Sequence, residues 1–266
     1  MKGLYLYGVC PLLKTKKSSA IDASDGIGEG KAFRISHQDV EAIVSEVSLK
    51  EFGSEEIQRK ATDDLEWIKD KALIHEKIIE TAMNSSDGLI IPMKFGAVFK
   101  NRKSLINSLK KDYLKFKNLL RGLRGKEERS VKIYLTPRLL ESEIKKKSSI
   151  IQRRLKEIKS LPAGRQYFIE DEVNEMAKRE AKKSLNSYIL LFLERLSELA
   201  EEIKENKIIG KELTQRNDPM VFNGAFLVKK ERVDEFRKGI QKLQAEHEEI
   251  GFTFESSGPW PPYNFV

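Results

Sequence analysis

Cysteine is almost absent. Cys10 stands alone in 266 residues, which excludes an intrachain disulfide framework and fits a reducing compartment, with Cys10 expected as a small buried filler. Histidine is nearly as scarce: His37, His75 and His247 are isolated, with no second His or Cys at metal-ligand spacing, so neither a metal nor another cofactor is expected. Long apolar runs are missing too. The stretch from Lys2 to Leu13 is broken by Gly8 and Pro11, is too short for a signal-peptide core, and puts Val9 before Cys10 where a lipoprotein site needs a small residue. No other segment approaches a membrane span, and a cytosolic chain without membrane partners is expected.

Catalytic signatures are thin as well. No Gly-x-Ser-x-Gly elbow occurs. Gly26 to Lys31 is glycine-rich, but it precedes a strand rather than a helix and lacks phosphate-loop spacing. Carboxylate pairs such as Asp63-Asp64 and Glu201-Glu202 fall on charged faces expected to be solvated. His75-Glu76 lacks the second His of a zinc-hydrolase helix, so packing and hydrogen bonding are expected there. His247 extends the apolar stripe of its helix and reads as a buried imidazole. The chain is expected to be a non-enzyme.

Charge is present in excess of one sign. The net charge is +8, densest between Lys100 and Lys159; such a balance favours solvated helix faces and some attraction to acidic partners, and is too diffuse for a dedicated nucleic-acid arm.

Periodicity predicts an α+β chain of two domains, residues 1–128 and 129–266. In the first, Leu4 to Val9 reads as a strand, Lys14 to Lys31 as a loop, and Ala32 to Ile35 as a second strand. Ser36 then caps a helix bearing Val40, Ile43, Val44 and Val47. Leu65 to Met83 marks another helix, Asp87-Gly88 a turn, and Leu89 to Ile91 a strand. A long basic helix follows, with Leu105, Leu109, Tyr113, Phe116, Leu120 and Leu123 inward. In the second domain Val131 to Leu135 is a strand and Thr136-Pro137 opens a helix to Ile158. Leu161 to Gly164 is a break, and a second helix carries apolar residues from Ile169 to Ile203. A hairpin of Ile208 to Thr214 with Met220 to Val228 turns at Asn217-Asp218-Pro219. A helix over Val233 to Leu243 and a strand over Ile250 to Phe254 complete a modified ferredoxin-like βαββαβ order with a long, broken helical insertion.

The chain closes on Gly258-Pro259-Trp260-Pro261-Pro262-Tyr263-Asn264-Phe265-Val266. Prolines favour an extended path, and Trp260, Tyr263 and Phe265 carry large apolar area at low entropic cost, so this segment is expected to dock on its own domain. Pro259 to Pro262 also has the spacing of a PxxP ligand, an alternative reading. A further alternative is an RNA-binding module, with Tyr134 and Phe226 as stacking residues on an open sheet face.

This closing segment, with Leu4-Tyr5-Leu6-Tyr7-Gly8-Val9, His75-Glu76, Ile91-Pro92-Met93-Lys94-Phe95-Gly96-Ala97-Val98-Phe99, Val131-Lys132-Ile133-Tyr134, Gly224 to Val228 and Val233 to Arg237, resembles the GvpL/GvpF family of gas vesicle proteins along nearly the whole chain. What departs is the polar stretch Lys14 to Lys31 and the run Lys145 to Lys147. The resemblance implies a two-domain accessory protein of gas vesicle assembly, located in the cytoplasm and at the vesicle. Its implied partners are the very apolar major shell protein and other accessory vesicle proteins. Contact candidates are Pro92, Phe95, Phe99, Trp260, Pro262, Tyr263 and Phe265, with basic helix faces orienting an acidic or mixed-charge partner.

Overall fold

The computed structural model describes residues 1–12, 19–28, 30–158 and 161–266. Two compact units are present: Met1–Glu127 with Pro259–Val266, and Glu128–Gly258. The closing segment therefore belongs to the first unit, which corrects the expectation that residues 129–266 form one domain with their own docked tail.

The first unit is organised by β1 (Lys2–Pro11). Along one edge β1 pairs antiparallel with β3 (Val40–Ser48), which pairs with β2 (Phe33–His37). Along the other edge it pairs with two short strands, β4 (Ile91–Pro92) and β5 (Val98–Phe99). Gly8 sits where the β1–β3 register shifts, and a Cβ there would lie 2.8 Å from the Ile91 carbonyl oxygen. Only glycine lets β4 approach so closely.

Both faces of this sheet are covered. Tyr5, Tyr7, Ile43 and Val47 pack with Ile78, Ile79, Ala82 and Met83 of α3 (Leu65–Ser85). Leu4, Leu6, Val9, Ala42 and Val44 pack with Leu105 and Leu109 of α4 (Arg102–Lys111) and Leu120 of α5 (Tyr113–Leu123). Two remaining helices are α1 (Ser19–Asp22) and α2 (Ser54–Asp63).

Several expectations are corrected here. Residues 40–47 form a strand, not a helix: Val40 to Ser45 are buried without interruption, because a strand covered on both faces shows no polar alternation. The turn before it is made by Gln38 at φ 55°. The long basic helix is two helices that meet at Asp112. The second strand is Phe33–His37 rather than Ala32 to Ile35, and α1 lies inside the stretch read as a loop; residues 13–18 and 29 of that stretch lie outside the described residues.

In the second unit the sheet order is β7-β8-β6-β9, with β6 at Lys126–Leu135, β7 at Glu202–Glu205, β8 at Met220–Lys229 and β9 at Phe252–Trp260. Val131, Ile133, Phe222, Phe226 and Phe252 pack against Leu140 of α6 (Pro137–Lys147), Phe192 and Leu196 of α8 (Ala163–Ser197), and Phe236, Ile240 and Leu243 of α10 (Val233–His247). A smaller cluster joins Ile151 and Ile158 of α7 (Ser149–Ile158) to Val173 and Ala177 of α8. The helix expected from Thr136 to Ile158 is thus broken at Ser148, and α8 begins inside the expected Leu161 to Gly164 break. The expected hairpin partner Ile208 to Thr214 contains the short α9 (Lys211–Thr214) instead, and β8 pairs with β7. The helix expected to reach Ile203 ends at Ser197, and Ile203 lies in β7 instead, the one apolar residue of a charged edge strand that carries no alternation to read. Among the described residues no helix is long and apolar enough to cross a membrane.

One buried ion pair bears on the first sheet. Arg34 of β2 pairs with Glu41 of β3, their side chains 10% and 5% exposed, and Arg34 Nε and Nη2 find no hydrogen-bond partner among the described residues. Desolvation makes removal of one partner worse than removal of both. Arg34→Met is expected to lower unfolding free energy in urea by about 3–5 kcal/mol, and Arg34→Met/Glu41→Leu to recover most of that loss. Equal losses in the two variants would contradict this account.

Candidate functional site

The site grows from the polar groups that β1 and α3 bury together. Apolar spacing on α3 turns His75 inward with Ile78 and Ile79, and His75 is 1% exposed. Its Nε2 lies 3.1 Å from the Met93 carbonyl oxygen and its Nδ1 lies 3.0 Å from Tyr5 Oη. A carbonyl only accepts, so Nε2 carries the proton and Nδ1 accepts from the Tyr5 hydroxyl. Tyr5 Oη in turn accepts the Gly96 N–H at 3.0 Å, with Gly96 at φ 90°. Tyr7 works alongside: its hydroxyl accepts the Ile27 N–H at 2.7 Å and reaches Ser45 Oγ at 2.7 Å.

These bonds fix the path of residues 93–97. The segment is already tied to β1 at its ends, by Met93 N–H to the Tyr7 carbonyl and Leu6 N–H to the Ala97 carbonyl, both at 2.8 Å. The closing segment joins the same node. Tyr263 Oη donates to Glu76 Oε1 at 2.8 Å and lies 3.3 Å from His75 Nε2. Pro261 and Pro262 are buried.

Burial sets the protonation states. It pulls the His75 imidazole down to about 4, opposed by its bond to the Met93 carbonyl. Burial raises the Tyr5 phenol, opposed by the Gly96 N–H, and raises the Tyr263 phenol, reinforced by the Glu76 carboxylate. All three stay neutral near pH 7. With Nδ1 accepting and Nε2 donating, His75 has no lone pair left for a metal. Among the described residues no group of three or more His, Cys, Asp or Glu is placed to hold one. Cys10 is fully buried, and burial followed by the Glu41 charge pushes its thiol up to about 12. His247 is also buried, its Nδ1 donating to the Leu243 carbonyl at 3.0 Å.

Over this node lies an open apolar groove of about 400 Å³. Leu6, Ile91, Pro92, Met93, Ala97 and Phe99 form its floor, Phe116 and Leu119 of α5 one wall, and Tyr263 and Val266 its end. Lys94, Asp112 and Lys115 are the charged residues in its lining. Of the contact residues expected from sequence, Pro92, Phe99 and Tyr263 meet here. Phe95 turns into the core beside Tyr5 and His75, its ring centroid 6.1 and 5.8 Å from theirs. Trp260 is 43% exposed, Pro262 is buried and Phe265 is half-buried, and none of the three lines the groove. Leu119 escaped the reading of the sequence, although its place one turn beyond Phe116 puts it on the same helix face.

The stacking residues of the RNA-binding alternative are not available. Phe226 is fully buried in the core, and Tyr134 is 2% exposed beneath the Arg216 guanidinium, 4.2 Å from the ring centroid. A ring enclosed in this way offers no face to a base.

Together these features define an α+β protein whose first unit carries a neutral polar node beneath an apolar groove. The family model of the gas vesicle synthesis protein GvpL/GvpF matches residues 3–266. The chain belongs to that family, whose proteins take part in gas vesicle formation. It is 21% identical to gas vesicle protein F1 of Halobacterium salinarum over all of this chain and 93% of that protein. It is 23% identical to gas vesicle protein L1 of the same organism, over 99% and 90% of the two chains. The crystal structure of GvpF from Anabaena sp. PCC7120 shares the fold with a TM-score of 0.74 at 19% identity, covering 100% of this chain and 98% of that one. GvpF from Microcystis aeruginosa aligns with a TM-score of 0.63 at 20% identity, over 99% and 98%.

The node makes stability depend on pH. Native His75 takes its proton only near pH 4, whereas an unfolded histidine takes it near 6.5. The stability contributed by the neutral ring is therefore complete above about pH 6.5 and is lost as pH falls toward 4, a loss of roughly 3 kcal/mol. An NMR titration of the His75 ring should give a midpoint near 4, with urea stability falling across the same window. A midpoint near 6.5 would overturn the tautomer and burial assigned here.

Proposed function

We propose that this chain is a non-enzymatic accessory protein of gas vesicle assembly that receives apolar segments of the shell protein, or of sister vesicle proteins, in the groove of its first unit. The supporting observation is an open groove of about 400 Å³ walled by apolar side chains, whose floor is held by a buried hydrogen-bonded node. A floor fixed before binding loses little entropy on contact, and each apolar side chain seated in such a site gains about 2 kcal/mol. A shell protein that is small and very apolar needs a temporary partner until it joins the wall.

On this reading Pro92, Phe99 and Tyr263 are contact residues, Trp260 contributes through its exposed face, and Phe95, Pro262 and Phe265 support the groove from the side or beneath. The protein works in the cytoplasm and at the vesicle. We read its two units as two domains, the second ferredoxin-like, because strand order β7-β8-β6-β9 with α8 and α10 as crossovers follows a split βαβ plan, α6 and α7 being inserted.

Leu119→Asp, which sets a carboxylate in the groove wall, should reduce co-purification with the shell protein from vesicle-forming cells by more than about tenfold. Leu114→Asp, at a position on α5 that is 71% exposed, should leave capture unchanged. Circular dichroism checks that both variants fold. Capture retained by a folded Leu119→Asp protein would remove the groove from the assembly role.

A further inference from the structure

Resting on the groove as a contact site, we infer that its occupant is an amphipathic helix of a partner protein, with the apolar face inward and carboxylates along its flanks. Two observations carry this. The first is charge. From Arg102 to Arg124 the chain holds eight Lys and Arg and a single acid, Asp112. Lys94 and Lys115, both exposed, line the groove and make no ion pair among the described residues. Cations that the fold leaves unpaired at the lip of an apolar cleft favour a ligand with acidic residues beside its apolar ones.

The second is the shape of the sheet edge beside the groove. An extended partner would need a ladder of free backbone groups, but β4 and β5 are two residues each and β4 contains Pro92, which has no N–H to give. Strand addition gains little there. A helix needs no ladder, only anchor side chains at i, i+3 or i+4 and i+7 that enter the cavity while its polar flanks stay at the rim. Such a helix places flanking Glu or Asp residues beside its apolar stripe, where Lys94 and Lys115 of the groove lining can meet them.

The test uses the full chain and two labelled 15-residue helical peptides that share one Leu stripe, one flanked by Glu and one by Lys, read by fluorescence anisotropy. The Glu peptide should bind saturably and more weakly as salt rises, and the Lys peptide at least about tenfold less tightly. Lys94→Glu/Lys115→Glu should weaken the Glu peptide about tenfold and tighten the Lys peptide. Lys110→Glu/Lys111→Glu, exposed on α4 outside the lining, should change either affinity less than about twofold. Equal binding of the two peptides, no binding of the Glu peptide, or equal weakening by both reversals would overturn the inference. Co-purification separates this from the assembly role itself: if Lys94→Glu/Lys115→Glu still captures the shell protein while the peptide preference is absent, the acidic-helix inference fails and the assembly reading stands.

Discussion

The first unit depends on a directional chain of hydrogen bonds that works only with an uncharged imidazole. Gly96 N–H gives to Tyr5, Tyr5 gives to His75 Nδ1, and His75 Nε2–H gives to the Met93 carbonyl. Every donor meets an acceptor, so the Tyr5 hydroxyl and both ring nitrogens of His75 are buried under the sheet at little net cost. A second proton on His75 would place a donor against the Tyr5 hydroxyl and a charge in the core. From that requirement follow the depressed imidazole, the fixed loop at residues 93–97, and the docking point for Tyr263 beside Glu76. The groove is then the upper surface of a segment whose lower surface is tied down. Its floor is rigid because its underside is polar and satisfied.

The same pairing logic separates the site from its scaffold. Groups beneath the sheet, Tyr5, Tyr7, Ser45 and His75, are bonded to one another or to backbone. Those at the lip, Lys94 and Lys115, make no ion pair among the described residues. Lys117, one turn along α5, does find Asp39 at 3.3 Å, so that cation belongs to the fold. An apolar floor held from below, with cations at its rim that find no ion pair among the described residues, is the basis of the proposed contact surface.

Much of this architecture was legible in the chain, and the misreadings share one cause. Helices with one dry face and one wet face, such as α3 and α10, announced themselves through spacing, as did β6 with its alternating Val131, Ile133 and Leu135. The errors fell where an element had no contrast between faces. Residues 40–47 are buried on both sides and resembled a helix stripe; β7 is charged on both sides, and its one apolar residue, Ile203, resembled a continuation of the α8 stripe. Breaks at Asp112 and Ser148 interrupt stripes that continue in phase, so spacing alone ran through them. At the site, Pro92, Phe99 and Tyr263 stood out because aromatic and proline residues are conspicuous. Leu119, Lys94 and Lys115 did not, since nothing local distinguishes a groove-lining leucine or an unpaired lysine from its neighbours. That the last eight residues leave the second unit's core for the first is a tertiary fact with no local signal: the aromatic composition showed that they dock, and not where.

The central claim is that the groove is occupied by another vesicle protein during assembly. Photo-crosslinking from position 119, compared with position 190 on α8 where Leu190 is 67% exposed, addresses it most directly in cells that are forming gas vesicles. The account predicts covalent adducts with the shell protein or a sister vesicle protein from position 119, mapping to a single amphipathic segment of the partner. Adducts from position 190 alone, with none from 119, would contradict it.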